Sequence, residues 1–211
     1  MGLREVLVPQ FRRPEGPLGR VAGLIMAARP SNRRRNYWTV ELLCVGPEDR
    51  VLEIGCGPGV ALAASAERTR GSVIVGLDHS PEMLDQAARR NRRAIERGRV
   101  RLQLGDLERL PMLGGPFDKI FSVNVIQFLP DKDAAFRALH DVTAPGGIVA
   151  TTYQPRHRNP NRADAIKVAE EVEAHMAAAG FVAIKVEELS LRPVSAVCVL
   201  GRKGRALAFR T

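Results

Sequence analysis

Cysteine is scarce in this chain: Cys44, Cys56 and Cys198 are the only three among 211 residues. An odd number with no CxxC or Cys/His ligand spacing argues against both a disulfide framework and a zinc site. Lysine is scarce too, supplying only 5 of the 32 basic residues. The formal charge of +9 and a pI near 10.3 point towards phosphate binding. The arginines, however, are dispersed, with local clusters at 33–35 and 89–93, and read more simply as solvated helix faces over a GC-rich coding background. Nucleic acid is therefore a disfavoured partner. Long apolar runs are missing as well. The densest early one, VAGLIMAA at 21–28, falls far short of the roughly 20 residues that span a bilayer. It follows a stretch with Glu5, Glu15 and three prolines, unsuited to a secretory leader, and Gly2 lacks the Ser or Thr at position 6 that myristoylation wants. The expected location is cytoplasmic, without a transmembrane segment. Internal repeats and low-complexity segments are also lacking.

What is present is alternation. With 45% hydrophobic residues the chain is long enough for one well-buried domain and short for two. Strand-like runs occur at 50–55, 72–78, 100–106, 117–124, 147–153, 181–189 and 196–202. Helical patterns at 59–68, 80–97, 131–142 and 162–179 separate the first six, with a loop at 107–116. Such alternation predicts an α/β fold: an open, mostly parallel seven-stranded sheet with helices on both faces. The last two runs, joined by Ser190–Ser195, predict a hairpin and so an antiparallel edge strand. Residues 1–45 are expected to form a helical appendage or lid on the core at 46–205, with a helix candidate at 17–28 and a second from an N-cap at Ser31 to about Cys44.

The run VLEIGCGPGV, 51–60, sets Gly55, Gly57 and Gly59 directly after the first strand. In an open parallel sheet that turn lies where ligands bind, and glycines allow close approach to backbone N–H groups. Val60 stands where a dinucleotide fingerprint has its third glycine, which disfavours a dehydrogenase. Glu53 closes a buried strand, an expensive place for an acid unless something there needs it.

VLEIGCGPG, GLDHSPEML, QLGDLERLPM, FDKIFSVNVIQFLPD and APGG (144–147) follow in order. Through them, residues 45–200 resemble the class I S-adenosylmethionine-dependent methyltransferases, most closely the small-molecule branch that includes ubiquinone and menaquinone methyltransferases. The resemblance implies a Rossmann-like sheet, S-adenosyl-L-methionine as cofactor and S-adenosyl-L-homocysteine as product. It places the cofactor against Glu53, Gly55, Cys56, Gly57 and Gly59, with Asp78 on the ribose hydroxyls and His79 and Met83 beside it. Gly105, Asp106 and Leu107 take the adenine end, and Asn124 and Gln127 the methyl end. Asn36 or Tyr37 would touch the methionine portion, unless Trp38 merely anchors that helix. A plainer reading leaves Asp78 and Asp106 as caps of the elements that follow them.

The implied chemistry is direct displacement, which needs placement more than acid–base machinery; a hydroxyl acceptor still benefits from a base. Asn124, Gln127, Phe128, Tyr153, Gln154 and His157 should lie near the acceptor, above the fourth and fifth strands. His157 is the preferred base and Tyr153 the second catalytic candidate, with Phe128 and Gln154 binding substrate. His140 and His175 read as structural, and Cys56 as a small loop residue without a nucleophilic role. NVIQ at 124–127 departs from the [ND]PP[YF] of base-amine enzymes, and none of the cysteines sits near that strand end. The expected acceptor is small and organic or lipid-like, methylated at oxygen, nitrogen or carbon. An RNA or protein methyltransferase docking through its arginines is the alternative, and a non-catalytic binder of the cofactor another. Helix 17–28 is expected to serve as a lid, then as a dimer contact, and last as a membrane-surface face, so a homodimer stays open.

Overall fold

The computed structural model describes residues 29–205, so the helix expected at 17–28 lies outside the described residues. The described residues open with α1 (Pro30–Leu42) and alternate through β1 (Val51–Ile54), α2 (Val60–Ala66), β2 (Ile74–Asp78), α3 (Pro81–Arg90), α4 (Arg92–Glu96) and β3 (Val100–Leu104). After a 3-10 segment (Leu107–Leu113) come β4 (Phe117–Val123), a short 3-10 turn (Ile126–Phe128), α5 (Lys132–Val142), β5 (Thr143–Tyr153), α6 (Arg162–Ala178), β6 (Phe181–Leu189) and β7 (Ala196–Lys203).

One seven-stranded sheet has the order β3-β2-β1-β4-β5-β7-β6. Pairing is parallel from β3 through β5, while β7 runs antiparallel to both β5 and β6. The hairpin therefore forms as the sequence implies, with its second strand slotted inside its first. Neighbouring residues of each strand enter opposite layers: Leu52, Val75, Ile120, Val149 and Val199 pack into one core with α5 and α6. Val51, Ile74, Phe121, Ala150 and Cys198 pack into another with α1, α2 and α3. Burial on both faces explains why these strands are apolar runs rather than alternating ones. The order reverses between β1 and β4, and the crevice beyond their carboxyl ends is the place for a ligand.

Several boundaries differ from expectation. Helix α1 starts at Pro30 instead of being capped by Ser31; proline at the first helical position has its φ preset and no N–H to satisfy. The pattern at 80–97 splits at Asn91, whose buried side chain bonds the carbonyls of Gly59 at 3.1 Å and Ala87 at 2.9 Å. The loop at 107–116 contains the 3-10 segment that Asp106 caps. The APGG turn forms within β5: pairing with β4 begins at Thr143, skips, and resumes at Ile148.

Candidate functional site

Three consecutive odd-numbered positions after β1 have left-handed backbone: φ is +63° at Gly55, +50° at Gly57 and +73° at Gly59. A side chain would be strained at each, which is why the loop is glycine at these spacings. The surroundings separate the three. A Cβ at Gly55 would lie 2.5 Å from Val125 Cγ2, and one at Gly59 would lie 2.5 Å from Asn91 Nδ2, whereas at Gly57 it would meet nothing within 4 Å. Gly55 and Gly59 are packed from within, and Gly57 faces open space at the loop tip. The outer wall of the loop is held by Asn91 and by Arg90, whose Nε donates to the Pro58 carbonyl at 2.8 Å. Sequence reading missed both residues; a polar side chain in the middle of a helical pattern was the one signal they left.

Two buried carboxylates border this loop. Asp78, at the end of β2, accepts from Gly57 N–H at 2.7 Å on Oδ2 and from Ser80 N–H at 2.9 Å on Oδ1. It thereby positions the glycine tip, and with a further backbone bond from His79 the carboxylate still keeps lone-pair capacity for another donor. His79 stands half-exposed with Nδ1 3.7 Å from the same carboxylate. Glu53 is 2% exposed, and its Oε2 has no hydrogen-bond partner. Burial, then the Asp78 charge, raises its pKa well above the usual carboxylate range, and a backbone hydrogen bond from Leu62 opposes the rise. Burial also raises Asp78, against its hydrogen bonds from Ser80 and Gly57. Cys56, buried between the acids, has its thiol pushed well up by burial, Glu53 and Asp78, so it is a poor nucleophile. Two desolvated acids with spare lone pairs fit a ligand bringing hydroxyl donors and positive charge, and S-adenosylmethionine carries both.

The remaining residues line the sheet edge on either side. Met83 is buried in the first turn of α3, its N–H 3.4 Å from the capping Ser80 Oγ. Gly105 follows β3 at φ +150°, and exposed Asp106 accepts from Glu108 N–H at 3.0 Å, with Leu107 half-buried behind it. Asn124, at φ +58°, clamps the ends of β4 and β5: its Nδ2 donates to Gln154 O at 3.1 Å, and its Oδ1 accepts from Gln154 N–H at 2.9 Å. Gln127 Nε2 donates to the Asn124 carbonyl at 2.8 Å, and Phe128 is 40% exposed beside it.

Gln154 is fully buried and engaged at both ends of its amide, accepting from Arg35 and donating to Val194 O at 2.8 Å. Asn36, also buried, donates to Asn32 O at 2.7 Å, and Tyr37 and Trp38 pack against the core under α1. Tyr153 is half-buried, its hydroxyl pKa raised by burial and by Asp164. His157 is exposed, with Nε2 3.2 Å from Asp164 Oδ2 and Nδ1 3.0 Å from the Arg158 carbonyl. That Asp164 belongs to the capping box that opens α6. His140 packs edge-on against Phe181 and His175 bonds Asp133 at 2.6 Å, both away from the crevice in the α5/α6 layer.

A family profile described as "Methyltransferase domain" matches residues 51–147. The chain is 32% identical over 183 residues to the uncharacterized methyltransferase YdaC of Bacillus subtilis, covering 87% of this chain and 98% of that protein. It is 29% identical over 130 residues to the trans-aconitate 2-methyltransferase of Deinococcus radiodurans, covering 62% of this chain and 47% of that one. It therefore spans less than half of the Deinococcus protein's length. Among solved structures, the N-methyltransferase NodS of Bradyrhizobium japonicum superimposes with a TM-score of 0.66 at 19% identity, covering 84% of this chain and 99% of that one. At that identity the likeness is one of fold.

Proposed function

We propose that this chain, which belongs to the class I S-adenosylmethionine-dependent methyltransferases, transfers a methyl group by in-line displacement to a small organic or lipid-like acceptor. When bound, S-adenosylmethionine supplies an electrophilic sulfonium methyl. The protein's work is then placement and exclusion of water. The observation that carries the reading is the open, left-handed glycine tip at Gly57 set against the two buried acids Glu53 and Asp78.

In this reading Asp78 takes the ribose hydroxyls with its spare lone pairs, and Glu53 Oε2 meets the cation of the methionine end. Gly55, Cys56, Gly57 and Gly59 form the loop the cofactor lies against, with His79 and Met83 flanking the ribose. Gly105, Asp106 and Leu107 hold the adenine, while Asn124 and Gln127 border the methyl. Asn36 on α1 touches the methionine portion, making residues 1–45 a lid on a single catalytic domain. Phe128 and Gln154 shape the acceptor side, and for a hydroxyl acceptor His157, oriented by Asp164, removes the proton, with Tyr153 nearby.

A small acceptor is supported by NVIQ at 124–127 in place of a base-amine motif and by the seclusion of the cysteines: Cys56 and Cys198 are buried, and exposed Cys44 lies at the end of α1. The name of the Deinococcus relative, for a small organic acid, points the same way. The test is transfer of labelled methyl from S-adenosylmethionine into an extract of the source cells, followed by separation into RNA, protein, lipid and small-molecule fractions. Label in the lipid or small-molecule fraction is the expected result. Label in RNA or protein would replace this reading with docking through the arginines, and no transfer at all would leave a non-catalytic binder.

A further inference from the structure

Arg35 is 3% exposed, and no carboxylate pairs with it among the described residues. Its NH1 donates to Gln154 Oε1 and its NH2 to Asn32 Oδ1 at 2.6 Å, both neutral acceptors, and its Nε has no partner. Burial, then the charge of nearby Arg156, pushes its pKa down to about 9, so it is still charged at neutral pH. Arg156, exposed on the loop after β5, also lacks a carboxylate partner among the described residues. A buried guanidinium without an anion is costly, and a second positive charge beside it raises the cost. None of the acidic side chains among the described residues closes this site.

The location separates it from the glycine loop. Arg35 is anchored through Gln154 at the end of β5, two strands along from β1 and so about 10 Å away at normal strand spacing. Thr39, one helical turn on, ties the same helix to β5 through Thr152 at 2.7 Å. Both arginines thus stand on the acceptor side of the crevice. We propose that Arg35, at the base, and Arg156, at the rim, form a seat for an anionic oxygen group, carboxylate or phosphate, of the methyl acceptor. This rests on the reading that the acceptor is a small molecule. It makes that molecule an acid and gives it a fixed orientation: the anion is held over β5 while the reacting atom points back towards β4. Arginine suits the task because its fork meets two anion oxygens at once.

The test is calorimetric titration of the S-adenosylhomocysteine-loaded protein with citrate and, separately, with inorganic phosphate, for the wild type, Arg156→Ala and Arg35→Lys. The expected result is saturable binding of at least one anion, weakened about tenfold or more in Arg156→Ala, with S-adenosylhomocysteine affinity unchanged within about twofold. Preference for citrate or for phosphate identifies the group. Arg156 is exposed, so its variant should fold even if Arg35→Lys does not, which a thermal melt would show. Failure of both anions to bind the wild type, or equal loss of S-adenosylhomocysteine binding in the variants, overturns the proposal; the second result would assign the arginines to the cofactor's own carboxylate. Binding of single-stranded RNA that depends on Arg156, with neither small anion bound, overturns it as well. The extract labelling judges the small-acceptor reading separately, so label in small molecules without anion binding would sink this proposal alone.

Discussion

Replacing Glu53 with glutamine should stabilise the free protein and weaken its hold on the cofactor. Glu53 is buried, its Oε2 is unpartnered, and Asp78 repels its charge. Because its folded pKa is raised, the carboxyl contributes its full stability below its ordinary value of 4.5, and that contribution is lost as pH rises towards the folded value. Each pH unit in that window costs the wild type about 1.4 kcal/mol relative to a residue that does not titrate. The amide leaves about as many polar atoms unsatisfied as the acid does, so the titration term decides the sign. Glu53→Gln should therefore be more stable at pH 7.5 by at least about 1 kcal/mol, a rise of about 2–4 °C in melting temperature for a chain of this size. The gain should shrink as pH falls to 5. The assay is thermal unfolding of both proteins at pH 5, 6, 7 and 8, without ligand and with saturating S-adenosylmethionine. With ligand the gap should narrow or reverse, since the variant loses binding free energy that stabilises the wild type. A stability difference that is flat across pH, or a less stable variant at pH 7.5, would refute the reasoning.

Asp78→Ala should lower S-adenosylmethionine affinity by about 1.5–3 kcal/mol, or roughly 10- to 150-fold, in a direct titration; unchanged affinity would remove the ribose assignment. Gly59→Ala should lose about 3 kcal/mol of stability, since its Cβ would sit 2.9 Å from Ala87 Cβ as well as against Asn91 at a φ of +73°. Gly57→Ala has open space around it, so chemical denaturation should show a loss of only about 1–2 kcal/mol while cofactor binding falls sharply. His157→Ala should leave the melting temperature within about 1 °C and reduce turnover of a hydroxyl acceptor by about 100-fold or more; full turnover in the variant would retire it as the base.

The alternation of apolar runs carried the sheet, because strands buried on both faces leave an unmistakable sequence trace. The glycine spacing likewise carried the loop, since each of the three has a φ that only glycine adopts readily. What escaped was set by contacts between distant segments. Asn91 stands at the break between two helices with its side chain on the Gly59 carbonyl, 32 residues earlier, and no local pattern records that contact. Gln154 reads as a polar residue at a strand end, free to meet a substrate. Its burial follows from Arg35 and Val194, which lie 119 and 40 residues away. Ser31 was the obvious cap by residue type, and the neighbouring proline overrode it by backbone geometry alone.

The placement of β7 bears on how the chain is assembled during synthesis. Strand β6 leaves the ribosome before β7, yet it has no pairing partner in the sheet until β7 fills the gap between it and β5. At about 5–20 residues per second, the span between the start of β6 and the end of β7 takes a second or more to emerge. For that interval β5 presents a bare parallel edge and β6 waits as an unpaired ribbon carrying Val182 and Val186, both open to solvent even in the finished fold. The last strand described is thus a keystone: until it pairs, the nascent sheet stays open to the wrong neighbour.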